Sequence, residues 1–185
     1  TDLILRLGRW VMREACTQIR AWRDAGLPTP RLSINLSPAE LNHRDLVAEI
    51  ARVLDDIGLD GSLLQLEFSE EAFLLAVQKD PQGIAQLREM GVGISLDNFG
   101  TGVSSIKALK RHPVNRLKVD RSFLDHLDDA DDGETLLGPL VELARGLGAQ
   151  VTVESVETRD QMREAQRRGA AEIQGYFVCR PVDGE

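Results

Sequence analysis

The sequence predicts an α/β fold, specifically a (β/α)₈ barrel of which two strands lie outside this chain. Three observations lead to this prediction. Strands and helices alternate along the whole chain of 185 residues. Each predicted strand has one apolar and one polar face. The predicted strands number six, whereas a barrel of this type needs eight.

The elements follow from apolar spacing and from helix-start signals. A helix is predicted over 3–24, where Leu7, Val11 and Ile19 recur at helical spacing. A strand follows over 31–37, and the Ser-Pro-Ala-Glu of 37–40 has the form of a capping box. Further strands are predicted over 63–69, 92–98, 115–121, 150–156 and 171–177. Further helices are predicted over 44–57, 70–90 with a restart at Asp80-Pro81, 103–111, 134–147 and 159–168.

The polar faces of the strands distinguish a barrel from an open sheet. In the strand over 31–37, Leu32 and Ile34 share one face and Asn35 ends the other. Strands of an open doubly wound sheet, the alternative that strand and helix alternation permits, have helices on both faces and are continuously apolar. A barrel covers only its outer face with helices, so polar groups inside it can serve a site at the carboxyl ends. The pattern therefore favours the barrel.

The length favours one domain. A complete barrel usually takes about 250 residues, so we expect two more strands upstream of Thr1, within a longer protein. The prediction is a single domain over 1–185 that is incomplete at its amino end. The edges of its first and last strands would be exposed.

Composition narrows the class of protein. The formal net charge is −8 and no basic run occurs, which argues against a nucleic acid polymer as partner and leaves individual nucleotides as ligands. No apolar run reaches the roughly 18 to 20 residues of a membrane span, and no signal peptide is visible. Cys16 and Cys179 lie near opposite ends, which favours a reducing compartment. We therefore expect a cytoplasmic location.

Polar residues stand at the carboxyl ends of the predicted strands. Each alone has an ordinary explanation, such as a strand-end hydrogen bond or an Asx turn. Together they indicate a site, because several buried carboxylates are costly unless they are paired or bound to metal. Oxygen donors without histidine suit Mg²⁺ or Mn²⁺ rather than zinc. The seven residues are Asn35, Glu70, Asp97, Lys118, Asp120, Glu154 and Gln174.

Two features of the sequence, Lys118 and an acidic run, have alternative interpretations. Lys118 could form a Schiff base, but Asp120 shares its face, which favours a charged lysine in an ion pair or a phosphate contact. The acidic run over 125–134 could be a metal site. Its position before a helix and its few apolar residues favour a solvated loop.

Six short motifs resemble those of a known family. They are INLS at 34–37, LEFSE at 66–70, DNFGTGVSSI at 97–106, LKVD at 117–120, VESVET at 153–158 and QGY at 174–176. The six motifs occur in the same order as in the EAL domain, the bacterial cyclic di-GMP phosphodiesterase module. The chain therefore resembles that domain. The fold of that family is a (β/α)₈ barrel, which agrees with the independent argument from the strand faces.

The resemblance implies two-metal hydrolysis of cyclic di-GMP to linear pGpG, with Mg²⁺ or Mn²⁺ as cofactor. Lys118, Asp120 and Glu154 would organise the second metal, the scissile phosphate and the attacking water, and Gln174 would hydrogen-bond near that water. The residues implied are, as metal ligands, Asn35, Glu70, Asp97 and, weakened, Asn98; as catalytic groups, Glu154, Lys118, Asp120 and Gln174; and as supports of the loop over 99–105, Phe99, Gly100, Thr101, Gly102 and Glu157.

Three departures from the family pattern leave a second interpretation open. The Glu-Ala-Leu motif that names the family is absent from the chain, Asn98 replaces a second Asp, and Val103 and Ser155 replace Tyr and Gly. The alternative is a catalytically weak or inactive module that binds cyclic di-GMP or regulates a partner. The resemblance further implies an upstream sensor or cyclase-like domain, and a homodimer formed around the fourth to sixth strands.

Overall fold

The computed structural model describes residues 2–41, 46–102, 105–125 and 135–182. The chain divides into two compact units, Thr1–Ser95 and Leu96–Glu185. The single domain predicted over 1–185 stays a prediction. The acidic run lies, beyond Asp125, outside the described residues.

Among the residues that the structure describes, the first unit contains five helices and the first strands. A 3₁₀ turn at Gly61–Leu63 precedes β2, and β3 crosses the boundary into the second unit. The elements are α1 (Asp2–Asp24), β1 (Leu32–Asn35), α2 (Pro38–Leu41), α3 (Leu46–Ile57), β2 (Leu64–Ser69), α4 (Glu70–Lys79), α5 (Pro81–Glu89) and β3 (Gly93–Asp97).

Helix α1 forms where helical spacing predicted it. Its buried residues Met12, Cys16 and Ile19 are spaced by four and three, so they lie on one face. Leu7 and Val11, which supported the prediction, are 48% and 39% exposed. The helix was therefore predicted correctly, and Ile19 is buried as expected, but Met12 and Cys16 rather than Leu7 and Val11 complete its buried face.

The helix-start signals of the first unit are confirmed. The Ser37 amide donates to Glu40 Oε2 at 2.9 Å, and the Glu40 amide donates to Ser37 Oγ at 3.4 Å, the reciprocal bonds of a capping box. Asp80 separates α4 from α5 and accepts the amide of Gly83 through Oδ1 at 3.0 Å. A carboxylate before Pro81 therefore restarts the helix as predicted.

Strands β1 and β2 are parallel, with Leu32 opposite Leu64 and Asn35 opposite Glu67. On β2 both faces are covered. Phe68 is fully buried against Phe73 of α4, with ring centroids 6.1 Å apart in an edge-to-face arrangement. On the other face, Gln65 and Glu67 are also buried. The polar face predicted from alternation thus exists and is turned away from water.

The second unit, Leu96–Glu185, repeats the alternation of strands and helices. A 3₁₀ turn at Arg121–Leu124 follows β4. Strands β4 and β5 are parallel, with Lys118 opposite Thr152, and β5 is parallel to β6. Its elements are α6 (Ile106–Arg111), β4 (Arg116–Asp120), α7 (Leu137–Gly146), β5 (Gln150–Glu154), α8 (Arg159–Arg167) and β6 (Glu172–Ile173).

The core of the second unit lies between its strands and helices. Leu117, Val119 and Val153 are fully buried apolar residues of β4 and β5, and Ala165 of α8 is fully buried as well. The polar partners in this alternation are also buried: Lys118 is 5% exposed and Thr152 is 4% exposed. A buried polar face inside a layer of helices is what the barrel prediction requires.

The last predicted strand is much shorter than expected. The prediction covered 171–177, but β6 spans only Glu172–Ile173. The Val156 amide donates to the Gln174 carbonyl at 3.0 Å, and the Phe177 amide donates to the Val156 carbonyl at 3.0 Å. The chain turns at Gly175 to make these bonds, which ends the strand. No helix within the described ranges is long and apolar enough to cross a membrane.

Candidate functional site

In the first unit, one predicted ligand ends a strand and another directly follows one. Asn35 is the last residue of β1 and is exposed. Glu70 is the first residue of α4 and is 5% exposed. The hydroxyl of Ser69 accepts the Ala72 amide at 3.2 Å and so begins α4 directly at the end of β2. The strand end and the helix start therefore share one junction, and Glu70 lies in it.

In the second unit, Lys118 joins two carboxylates. Its Nζ lies 2.8 Å from Glu154 Oε1 and 3.9 Å from Asp97 Oδ1. These three residues come from β4, β5 and β3. The side chains are 7%, 17% and 26% exposed. An ammonium group at these distances offsets the repulsion between the two carboxylates.

The carboxyl group of Glu154 is perturbed by this environment. Burial raises its pKa, because a charged carboxylate is poorly solvated there. The hydrogen bond and the charge of Lys118 oppose that rise, and the neighbouring carboxyl of Asp97 adds to it. Perturbed carboxyl groups with a specific charged neighbour are typical of functional sites.

The backbone of the turn after Asp97 is strained at one residue and is held by hydrogen bonds. Asn98 has a φ of 51°, in the left-handed region, which Asn tolerates better than most residues. Its amide donates to Asp97 Oδ1 at 3.1 Å. The buried Phe99 anchors the next position, and its amide donates to the Lys118 carbonyl at 2.8 Å. The turn is thereby attached to the strand that carries Lys118.

The other predicted supports of this loop differ in their contacts. The hydroxyl of Thr101 donates to the Asn98 carbonyl at 2.8 Å. Gly100 has a φ of 94°, and a side chain there would meet the ring of Phe123. Gly102 is exposed. Residues 103 and 104, including the predicted departure at Val103, lie outside the described ranges.

Asp120 ends β4 and begins the following 3₁₀ turn. Its Oδ1 accepts the Ser122 amide at 2.9 Å. That bond is the main cause that lowers the pKa of Asp120, and the hydroxyls of Ser122 and Ser155 act in the same direction against the effect of burial. The predicted catalytic role of Asp120 stays a prediction, since the structure gives its carboxylate a local capping role.

Ser155 and Arg121 are two residues of this site to which the sequence analysis gave no role. Ser155 has a φ of 57°, a conformation that suits the Gly of the family pattern. In the sequence, the replacement of that Gly by Ser155 was the signal that could have drawn attention to this position. Arg121 Nη1 pairs with Glu157 Oε2 and lies 3.5 Å from the Ser155 carbonyl oxygen. The structure thus pairs Glu157 with Arg121. The support that Glu157 was predicted to give to the loop over 99–105 stays a prediction.

A cavity of about 410 Å³ opens beside these residues in the second unit. Gln174, predicted to hydrogen-bond near the attacking water, lies in its wall and is exposed. The cavity is roomy enough for a small ligand, and its wall combines carboxylates, an amide and an aromatic ring. Its lining residues are Glu154, Ser155, Glu157, Gln174, Gly175 and Tyr176.

The donor chemistry fits a hard divalent cation, because every predicted ligand offers oxygen. Asp97 is a carboxylate close to a second one, Glu154, which is the kind of pair that divalent cations bind. Within the described ranges, no three His, Cys, Asp or Glu side chains are already grouped to hold a metal ion. Lys118 lies between the two carboxylates in this arrangement.

Comparison with known proteins identifies the family. Residues 1–181 match the family model of the EAL domain. MucR of Pseudomonas aeruginosa, named as a bifunctional diguanylate cyclase/cyclic di-GMP phosphodiesterase, is 37% identical over 185 residues, which cover 100% of this chain and 27% of MucR. The cyclic di-GMP phosphodiesterase NbdA of the same organism is 33% identical over 180 residues, which cover 97% of this chain and 23% of NbdA. The chain thus spans about a quarter of the length of these relatives.

Solved structures agree. The MucR phosphodiesterase in complex with cyclic di-GMP has a TM-score of 0.88 at 37% identity, covering 98% of this chain and 74% of that chain. The EAL domain of Mycobacterium smegmatis DcpA has a TM-score of 0.85 at 32% identity, and the match covers 98% of this chain and 82% of that one. These likenesses confirm the predicted α/β fold of the TIM-barrel type. The chain belongs to the EAL domain family.

Proposed function

We propose that this chain is a cyclic di-GMP phosphodiesterase domain that hydrolyses its substrate to pGpG. The observation that carries the proposal is the ammonium group of Lys118 at 2.8 Å from Glu154 and 3.9 Å from Asp97. Glu154 also lines the cavity of about 410 Å³. A cation and carboxylates beside an open cavity suit the binding and cleavage of a phosphodiester.

The chain's own residues have distinct roles in this proposal. Lys118, buried and charged, stabilises negative charge that develops on the phosphate oxygens. Glu154 accepts the proton of the attacking water while the new phosphorus–oxygen bond forms and the bond to the 3′ oxygen breaks. The 3′ oxygen stays on the linear product and takes a proton from solvent. Gln174, exposed in the cavity wall, orients that water through its amide. Asp120 positions the turn that follows Lys118.

Phosphodiesterases of this family are metal-dependent. From the family resemblance we propose Mg²⁺ or Mn²⁺ as the cofactor and Asn35, Glu70, Asp97 and Asn98 as its ligands, through their carboxylate and amide oxygens. Such an ion, when bound, supplies an activated water at neutral pH and offsets charge on the phosphate.

A second candidate function is a receptor for cyclic di-GMP without turnover. Asn98 favours it, because a neutral amide replaces the second Asp of the family motif. A neutral ligand weakens the attraction for a divalent cation. Since about 1.4 kcal/mol corresponds to a tenfold change in rate, a modest loss of cation binding would slow hydrolysis and spare nucleotide binding.

The first experiment is an assay of the full-length protein with cyclic di-GMP and either Mg²⁺ or Mn²⁺, followed by anion-exchange chromatography. We expect pGpG, and we expect Glu154→Gln to abolish it. Glu142→Gln is the matched control, because Glu142 is 70% exposed and pairs with Arg145 on α7. Binding without pGpG would support the receptor, and a protein that neither binds nor cleaves would overturn both functions.

Three wider properties also belong to this proposal. We propose an upstream sensor or cyclase-like domain, because MucR and NbdA extend well beyond the matched region. A homodimer is proposed from the family resemblance alone. The cytoplasmic location is proposed from the use of Cys16 and Cys179, which are both free thiols.

A further inference from the structure

Among the described residues, the wall of the cavity of about 410 Å³ contains two carboxylates but no lysine or arginine. The carboxylates belong to Glu154 and Glu157. A cyclic dinucleotide carries a negative charge on each of its phosphodiester groups, so uncompensated carboxylates in the wall would repel it. A cavity that accepts phosphodiesters therefore needs cations that offset both of these charges.

Each carboxylate is paired with a cation that does not itself line the cavity. Lys118 Nζ lies 2.8 Å from Glu154 Oε1, and Arg121 Nη1 pairs with Glu157 Oε2. Both cations belong to β4 or to the 3₁₀ turn after it, and both carboxylates belong to β5 or to the turn after that strand. The lysine already has a role in the proposed reaction, whereas the arginine has none so far.

The two ion pairs differ in their exposure to solvent. The side chains of Lys118 and Glu154 are 7% and 17% exposed, whereas those of Arg121 and Glu157 are 40% and 51% exposed. An exposed pair contributes little to the stability of a fold, because water and salt screen it. Its charges still act on a charged ligand that approaches the cavity from solvent.

The backbone of the turn after β5 is held by bonds that do not involve the side chain of Arg121. The turn begins at Ser155, and the next amide donates to the Gln174 carbonyl at 3.0 Å. The Glu157 amide donates to Gln161 Oε1 at 2.8 Å, which joins the turn to α8. Arg121 Nη1 lies 3.5 Å from the Ser155 carbonyl oxygen, beyond the usual length of an N–H···O hydrogen bond. Replacement of Arg121 should therefore uncover the charge of Glu157 without displacing the turn.

We propose that Arg121 is a specificity-determining residue, which lets the cavity accept an anionic ligand by neutralising Glu157. The inference rests on the proposed function, which supplies cyclic di-GMP as the anion. It requires binding alone, so it applies to the phosphodiesterase and to the receptor. Exposed charges at the edge of a site attract or repel a charged ligand over a distance that salt shortens. Arg121 therefore acts on affinity through Glu157, in a way that depends on ionic strength.

Equilibrium dialysis of the full-length protein against radiolabelled cyclic di-GMP tests the proposal, with excess EDTA to prevent metal-dependent hydrolysis. At about 0.01 M salt, where the Debye length is about 30 Å, we expect Arg121→Met to weaken binding by about fivefold. At about 1 M salt, where that length is about 3 Å, the difference should disappear. A loss that persists at high salt overturns the inference.

Arg145→Met is the matched control for net charge. Arg145 is 66% exposed on α7, pairs with Glu142 and does not line the cavity. We expect this variant to bind cyclic di-GMP like the unmodified protein at both salt concentrations. An equal loss in Arg145→Met and Arg121→Met would mean that net charge alone explains the effect, which also overturns the inference.

Replacement of the carboxylate separates the charge effect from a structural role of the pair. We expect Glu157→Gln to strengthen binding by about twofold at low salt, because it leaves the guanidinium of Arg121 uncompensated beside the cavity. The double variant should return to within about twofold of the unmodified protein. A merely structural pair would instead weaken binding in both single variants and in the double variant.

Glu157→Gln keeps the test decisive where Arg121→Met fails to fold, since weaker binding by Glu157→Gln at low salt overturns the inference by itself. Equal binding by the unmodified protein, both single variants and the double variant overturns this inference and leaves the proposed function standing. An unmodified protein that does not bind cyclic di-GMP at low salt overturns the proposed function and this inference together.

Discussion

Lys118 Nζ lies 2.8 Å from Glu154 Oε1, although the two residues are not opposite one another in the sheet. Lys118 is opposite Thr152, and Glu154 is opposite Asp120. The lysine therefore reaches two residues along the neighbouring strand, toward the strand end, to meet its partner. An ion pair, one of the two roles predicted for Lys118, is present, and a charged, paired lysine does not suit Schiff-base chemistry.

Replacement of this lysine should destabilise the second unit. Lys118→Met leaves Glu154 and Asp97 close together without their shared cation, and breaking a buried pair typically costs about 3 kcal/mol. Hydrogen exchange in urea, followed in peptides from β4 and β5, measures this loss. Lys110→Met is the control, because Lys110 is exposed on α6. Equal protection of the two variants would contradict the role assigned to Lys118.

Restoring the acidic residue of the family motif should raise hydrolysis. We expect Asn98→Asp to increase the rate of pGpG formation by about tenfold in Mg²⁺ or Mn²⁺, which corresponds to about 1.4 kcal/mol of barrier. The backbone should tolerate the change, since Asp, like Asn, accepts the φ of 51° found there.

The control for charge is Asn115→Asp, because Asn115 is exposed and precedes β4. It adds the same charge to the second unit outside the Asp97 turn. An equal rise in both variants would mean that net charge, rather than the position of the ligand, explains the effect.

The turn after Asp97 should depend on Gly100. An alanine Cβ there would lie 2.5 Å from Phe123 Cζ at a φ of 94°. The left-handed backbone alone costs a non-glycine residue about 1–2 kcal/mol, and displacement of Phe123 adds to that cost. Gly26→Ala is the matched control, since Gly26 has a φ of 72° but no atom within 4 Å of the added Cβ. Urea unfolding should show the larger loss for Gly100→Ala, and similar losses would count against the steric contact.

Glu164 on α8 should contribute stability that depends on pH. Burial opposes its ionisation, but hydrogen bonds from Arg168 and Arg167 outweigh burial and lower its pKa. A lowered folded-state pKa gives stability that is present above the unfolded pKa, about 4.3, and is lost as the pH falls through the folded value. Glu164→Gln should therefore cost about 1 kcal/mol at pH 7 and progressively less in acid.

Thermal unfolding between pH 7 and pH 3 measures this dependence. Glu142→Gln is again the control, because Glu142 is 70% exposed and bonds to Arg145 alone among the described contacts, whereas Glu164 is 18% exposed and pairs with two arginines. A cost for Glu164→Gln that stays constant over this range would show that the arginine contacts do not depend on its charge.

The sequence by itself determined the order of the elements and the polar faces of the strands. Both depend on short-range rules: periods of two and 3.6 residues, capping side chains such as Asp80, and glycine after a helix. The same rules placed Asp97, Lys118 and Glu154 at or near strand ends. The six motifs then indicated the EAL domain, which the comparisons confirmed.

Only the tertiary structure decided which groups meet. The pairing of Lys118 with Glu154 depends on the register of β4 and β5, and that of Arg121 with Glu157 on the turns that follow these strands. The early end of β6 depends on the contact of Gly175 with Val156. These features join residues that are distant in the chain, and their geometry is set by strand register and backbone packing. Local patterns in a single sequence do not specify strand register or backbone packing, so they could not predict these contacts.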